Sequence, residues 1–184
     1  DDDSRQPEDA VLSRLFRVDP RLAPGLYVVS TPIGNLRDIT LRALDILASV
    51  DVVCAEDTRV AGKLMSAFGL SARLRPYHDH NGAQARPGLL KELESGGRIA
   101  LMSDAGTPLI SDPGYKLVRE AAELGIPIYA IPGASAPLTA LASSGLPTDR
   151  FTFAGFPPPK SSARKRFLTE MKSGQGTLIF FEGP

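Results

Sequence analysis

From Gly25 onward the chain alternates short apolar runs with stretches whose apolar residues recur every three or four positions. The runs Leu26–Ser30, Val50–Ala55, Arg98–Ser103 and Pro127–Ile131, with a shorter one at Leu74–Tyr77, predict strands. Leu41, Leu44 and Leu47 share one helical face, as do Leu64, Met65 and Phe68 before Gly69, and Leu89, Leu90 and Leu93 before Gly96. A fourth helix is predicted from Pro113 to Leu124, with Leu117, Val118, Ala121 and Leu124 on one side and Gly125 as terminator. Strand alternating with helix predicts an α/β fold, a parallel sheet with helices on its faces.

After a helix near Ser135–Ser143, the segment Gly145–Asp149 reads as a turn into new structure. A strand at Phe151–Ala154, the loop Pro157-Pro158-Pro159, a basic helix at Ser162–Lys172 and a strand at Thr177–Phe181 then begin a second α/β unit. The expected organisation is a leader over 1–24, an N-terminal α/β domain over 25–132, and a linker helix with the first part of a C-terminal α/β domain over 133–184. Residues 1–9 carry five acids against Arg5 and read as a disordered tail, while Val11, Leu12, Leu15 and Phe16 offer one short helical face. The sequence has no initiator Met and stops just after a strand, so a piece of a longer protein is expected.

Charge and composition narrow the chemistry. Lys and Arg together number 21, as do Asp and Glu, so any attraction to a polyanion has to come from local patches. One such patch is Lys160, Arg164, Lys165, Arg166 and Lys172, opposed only by Glu170. Cys54 is the single cysteine, which excludes an intramolecular disulfide and multi-cysteine metal sites and fits a reducing cytosol. No apolar run reaches the length of a membrane span, and no secretory signal is present, so a soluble, unexported protein is expected.

The glycine and proline content is concentrated where predicted strands end. Ser103-Asp104-Ala105-Gly106-Thr107-Pro108-Leu109-Ile110-Ser111-Asp112-Pro113-Gly114 leaves one strand and enters a helix. Ser30-Thr31-Pro32-Ile33-Gly34-Asn35-Leu36 and Ile131-Pro132-Gly133-Ala134-Ser135-Ala136 follow two others. Ligands of open α/β sheets bind at the carboxyl ends of strands, and small residues let them approach the backbone. Asp104 and Asp112 are candidates to accept from ribose hydroxyls or an ammonium, with Asp112 alternatively a helix cap and Ser135 a cap of the next helix. Glu56-Asp57-Thr58-Arg59 either orients a polar substrate or caps the following helix. Tyr77-His78-Asp79-His80-Asn81 holds both histidines, which line a polar loop, contact substrate or supply part of a metal site. Walker, G-x-G-x-x-G, G-x-S-x-G and H-E-x-x-H signatures are absent.

Taken in order, Leu26–Leu36, Ala55–Arg59, His78–Asn81, Ser103–Gly114 and Thr177–Glu182 closely resemble the small-subunit ribosomal RNA methyltransferase I family of the tetrapyrrole methylase superfamily. The match is collinear from about Gly25 to the end. It departs at Glu182-Gly183-Pro184, where the family typically reads Glu-Ser-Pro-His-Arg. The resemblance implies a cytoplasmic homodimer of two-domain subunits that uses S-adenosylmethionine to methylate the ribose 2′-hydroxyl of a cytidine in small-subunit (16S) rRNA, without a metal. It implies cofactor contacts from Pro32, Ile33 and Gly34, from Asp104, Ala105, Gly106, Thr107, Leu109 and Ile110, and from Gly133, Ala134, Ser135 and Ala136. Glu56, Asp57, Arg59, His78, His80 and Asn81 would face the RNA.

Asp57 or one of the two histidines then serves as base, or water takes the proton, with Arg59 holding a phosphate. Lys160, Arg164, Lys165 and Arg166 add RNA contacts. The rival readings are a methyltransferase of the same superfamily acting on a small tetrapyrrole or a protein side chain, a non-catalytic RNA- or ribosome-binding module, and a metal-dependent hydrolase built on His78 and His80.

Overall fold

A computed structural model describes residues 16–111 and 114–183. It has two compact units, one up to Ala134 and one from Ser135. In the first, strands β1 (Gly25–Val29), β2 (Val52–Ala55), β3 (Leu74–Pro76), β4 (Arg98–Met102) and β5 (Ile128–Ile131) alternate with helices α1 (Leu41–Ser49), α2 (Thr58–Ala67), α3 (Gly82–Glu94) and α4 (Tyr115–Glu123). All strand pairings are parallel, and the order is β3-β2-β4-β1-β5. The predicted α/β class and parallel sheet therefore hold.

The two-residue period of each strand divides the core between the sheet's faces. Tyr27, Val29, Val53, Ala55, Ala100 and Met102 pack with Leu44 and Leu47 of α1 and with Ala61, Leu64 and Met65 of α2. Leu26, Val52, Cys54, Ile99 and Leu101 face the other way, onto Leu89, Leu90 and Leu93 of α3 and Leu117 and Ala121 of α4. Thus α1 and α2 cover one face and α3 and α4 the other. Cys54 is buried in the second layer, and burial pushes its thiol up to about 12, so it is an inert packing group.

Several predicted boundaries shift, each for a local reason. The strand expected from Val50 begins at Val52, because the Val50 N–H still donates to Ile46 O at the end of α1. The strand expected to reach Ser103 ends at Met102, where the Ser103 hydroxyl turns back to donate to Gly106 O at 3.0 Å. The helix expected from Pro113 starts at Tyr115 with Gly114 at its cap position, and Asp112 and Pro113 lie outside the described residues. Of the expected helical face at Val11–Phe16, only Phe16 is described, and it is not helical.

Helix α3 contains Gly88, an exposed position where a Cβ would have nothing within 4 Å. Gly88→Ala is expected to raise stability by about 0.5–1 kcal/mol, since alanine loses less chain entropy in a helix. A urea titration would read this as a higher midpoint with an unchanged slope.

The second unit holds α5 (Ala136–Ser143), β6 (Phe151–Phe153), α6 (Ser161–Met171) and β7 (Thr177–Ile179), with β6 and β7 paired in parallel. Its two strands are shorter than the sequence pattern suggests. Ser135 occupies the cap position of α5 but makes no side-chain capping bond. No helix among the described residues is long and apolar enough to cross a membrane.

Candidate functional site

The strand order sets β1 beside β4, and these two neighbours send their chains to opposite faces. From β1 the chain passes to α1 on one face, and from the adjacent β4 it passes to α4 on the other. Such a switch point leaves a crevice at the carboxyl ends of the two strands, the usual ligand position in open α/β sheets.

Here the crevice is closed at its base by paired backbone. Thr31 N–H donates to Gly106 O at 2.9 Å and Gly106 N–H to Thr31 O at 3.1 Å. The Thr31 hydroxyl also donates to Ser103 O at 3.2 Å. Thr107 adds a second tie, with its hydroxyl 3.0 Å from that of Ser30 and 3.2 Å from Ala134 O, to which it donates. At Gly133 a Cβ would lie 2.8 Å from the Ser30 Cβ, so the loop after β5 reaches β1 only because residue 133 is glycine.

Pro32, Ile33 and Gly34, Asp104 to Thr107, and Gly133 and Ala134 are thereby brought to one rim. Leu109 and Ile110 continue the loop after β4, and among the described residues Leu109 and Ser111 are the two non-glycine residues with positive φ, 73° and 62°. Pro108 between Thr107 and Leu109 is fully buried and anchors that strained turn. Ser135 and Ala136 open the second unit.

The ends of β2 and β3 supply the charged side chains. Asp57 caps α2 by accepting from Arg59 N–H at 2.8 Å, and its carboxylate takes further bonds from the Arg59 guanidinium, the shortest 2.6 Å. These bonds hold the Asp57 carboxyl down at about 2. The expectation that Asp57 acts as base meets a physical obstacle, because a carboxylate so stabilised has little affinity for a proton.

Glu56 behaves oppositely. Although its side chain is largely exposed, partial desolvation raises its pKa, and Asp104, Asp79 and Asp57 raise it further, with His78 a partial offset. Asp104 is exposed and uses one oxygen to accept from Asp57 N–H at 3.1 Å.

His78 and His80 stand edge to face with ring centroids 6.0 Å apart. His78 Nδ1 accepts from Asn81 N–H at 3.3 Å, which places the proton of the neutral ring on Nε2. Asn81 is occupied inside the loop, accepting from His78 N–H and donating to Pro76 O. No cluster of three or more His, Cys, Asp or Glu side chains suited to a metal occurs among the described residues. Lys160, Arg164, Lys165 and Arg166 belong to the second unit, where Arg164 pairs with Glu182 and Arg166 with Glu170.

Sequence reasoning missed Glu56 as a proton-handling group, because its raised proton affinity depends on carboxylates from three different loops. It also missed Val60, Lys63 and Met102, which with Thr31, Pro32, Gly34, Leu36, Leu64 and Asp104 line a cavity of about 260 Å³. The spacing of Val60 and Leu64, one helical turn apart, is the one signal that pointed there.

The sequence profile of the family described as Tetrapyrrole (Corrin/Porphyrin) Methylases matches residues 25–184. The chain is 55% identical over 163 residues to ribosomal RNA small subunit methyltransferase I of Mesorhizobium japonicum, covering 89% of this chain and 55% of that relative. It is 54% identical over 165 residues to the protein of the same name from Vibrio cholerae, covering 90% and 57%. The chain thus spans about half the length of the curated relatives it matches. Among solved structures, a diphthine synthase superposes with a TM-score of 0.67 at 18% identity, covering 86% of this chain and 65% of that one. A uroporphyrin-III-C-methyltransferase from Thermus thermophilus superposes at 0.56 and 23% identity, covering 79% and 73%. These last two are likenesses of fold.

Proposed function

The chain belongs to the tetrapyrrole (corrin/porphyrin) methylase family, and from that premise we propose that it carries the first part of an S-adenosylmethionine-dependent enzyme that methylates a cytidine ribose 2′-hydroxyl in small-subunit rRNA. The observation that carries this reading is the joining of the loops after β1, β4 and β5 into one rim beside an exposed carboxylate, Asp104. The more than 50% identity to proteins named as small-subunit rRNA methyltransferases supports RNA as the substrate over a tetrapyrrole or a protein side chain. A homodimer acting in the cytoplasm, where small subunits are found, is part of the same reading.

The residues present fit the cofactor. Gly34 has positive φ and nothing within 4 Å of its Cβ direction, so a ligand can lie directly on the backbone there. Asp104 has an oxygen left to accept from a ribose hydroxyl or the ammonium, and Ile33 and the exposed Ile110 offer apolar contact. When bound, the cofactor supplies an electrophilic methyl on a sulfonium. The carboxylates Glu56, Asp57, Asp79 and Asp104 favour a positive charge nearby. Glu56 accepts the proton of the 2′-hydroxyl as it attacks, Arg59 stays paired with Asp57 while its exposed face meets a phosphate, and the rim holds the reacting atoms in line.

Calorimetric titration with S-adenosylmethionine and S-adenosylhomocysteine tests the reading. Asp104→Ala is expected to weaken binding about tenfold to a hundredfold, the equivalent of roughly 1.5–3 kcal/mol for a hydrogen bond to a charged group. Unchanged affinity in the variant removes Asp104 from the site, and a folded full-length protein that binds neither compound overturns the proposal.

A further inference from the structure

The cavity beside the rim has a composition that the cofactor loops do not require. It is lined by Pro32 and Leu36 from the loop after β1, by Val60 and Leu64 from one face of α2, and by Met102 at the end of β4. Leu36 is 50% exposed and Val60 36%, so two large apolar side chains border the opening in contact with water. Lys63, between Val60 and Leu64 on the same helix, is exposed and makes no ion pair among the described residues.

We propose that this slot receives the base of the nucleotide being methylated, turned out of its stack and held between Pro32 and Leu36 on one side and Val60 on the other, with Lys63 on an adjoining phosphate. The inference rests on the RNA-methylating reading above and assigns its substrate subsite. Three features point to this occupant. At about 260 Å³ the slot is below the roughly 300–1,000 Å³ of sites that enclose a drug-sized ligand, and it suits one heterocyclic ring better than a macrocycle. Sequence-specific RNA recognition splays single bases onto flat or apolar side chains, and enzymes that act on an extruded nucleotide seat its base between such walls. The cation at the opening matches a phosphate, which every nucleotide places one sugar away from its base.

The position also suits the chemistry. The slot shares Thr31, Pro32, Gly34 and Asp104 with the rim. A base seated between the walls leaves its ribose at the opening, toward Asp104, and among the neighbouring charges Asp104 is the one that raises the Glu56 pKa most. Lys63 and the two apolar walls thus act as positioning residues for the 2′-hydroxyl and do not themselves take part in the transfer.

The test uses the full-length protein, S-adenosylmethionine and two RNA substrates, one with the target cytidine and one with an abasic ribose in its place. Val60→Trp, which fills the slot from an exposed helix position, is expected to lower kcat/KM on the cytidine substrate at least tenfold while S-adenosylhomocysteine affinity stays within twofold of the parent. On the abasic substrate, parent and variant are expected to differ by less than threefold, because no base competes for the slot. Leu36→Ala, which removes one wall without adding bulk, is expected to raise KM for the cytidine substrate several-fold with kcat nearly unchanged.

Parent-like kinetics in both variants would overturn the proposal. Loss of S-adenosylhomocysteine binding in Val60→Trp would assign the slot to the cofactor, and an equal defect on the abasic substrate would assign it to the sugar-phosphate chain. Either result overturns it too. A parent that binds S-adenosylhomocysteine but methylates neither RNA refutes the base subsite and points to a different substrate, whereas a parent that binds none refutes the methyltransferase reading itself.

Discussion

Glu56→Gln is expected to lower the rate of methyl transfer by roughly 10²–10⁴-fold, the usual contribution of a positioned general base. The ribose hydroxyl is weakly acidic, so the step gains from a group that holds a proton more tightly than an ordinary carboxylate does. Glu56 meets that requirement through partial desolvation and through the negative charges of Asp104, Asp79 and Asp57. Asp57, held at about 2 by its bonds to Arg59, does not.

The pH dependence has a definite sign. The parent rate rises as Glu56 loses its proton, with a midpoint above the ordinary carboxylate value of about 4.3. Glu56→Gln loses that limb of the profile. Stability moves the other way, because a carboxyl whose folded pKa is raised binds its proton more tightly in the folded state. The ionised form is therefore a cost to folding above the folded pKa, and the cost disappears as pH falls below the unfolded value. The glutamine variant is expected to melt slightly higher than the parent near pH 7, with the difference fading toward pH 4. Single-turnover methylation and thermal melts across pH read both effects. A variant that keeps its rate within a few-fold of the parent would show that Glu56 is not the base.

Gly106→Val is expected to cost both stability and cofactor binding. Gly106 has a φ of +82°, where a left-handed backbone costs an L-residue about 1–2 kcal/mol, and a β-branched side chain more. Its Cβ would lie 3.3 Å from Ile33 Cγ2, so the loop after β1 has to give way. A total loss on the order of 3 kcal/mol follows when overpacking adds to the backbone strain. For a protein of this size that lowers the melting temperature by roughly 6–12 °C. Because Gly106 exchanges both backbone bonds with Thr31, the same strain parts the two loops, and S-adenosylhomocysteine affinity is expected to fall more than tenfold. Gly106→Ala, with only the Cβ, should fall between variant and parent in both measurements. Parent-like melting of Gly106→Val would show that the Thr31–Gly106 bridge is not a fixed element of the site.

Much of the sheet is legible one segment at a time. Leu26–Val29, Val52–Ala55 and Ile99–Met102 are apolar over consecutive positions because both faces of each strand are buried, and the helices between them bury one stripe each. The ends were less legible. Val50 is as β-branched as Val52, yet its N–H closes a helix. Ser103 follows an apolar run, yet its hydroxyl finds a nearer partner in the turn. A short-range competition between hydrogen bonds decides such residues, and apolar pattern does not encode it.

The sequence by itself determined the α/β alternation, the two-sided core and the clustering of glycine, proline and small hydroxyl residues just past strand ends, because periodicity and backbone conformation are properties of neighbours along the chain. The tertiary structure decided the order β3-β2-β4-β1-β5, and with it the placing of β1 beside β4. That adjacency brings Thr31 to Gly106, Ser30 to Thr107 and Thr107 to Ala134 across long stretches of chain. It also set the acidic surroundings that raise Glu56 and the slot between the first loop and α2. Strand order depends on which distant surfaces pair, and electrostatic surroundings depend on which distant charges meet, so both arise only when the whole sheet has assembled.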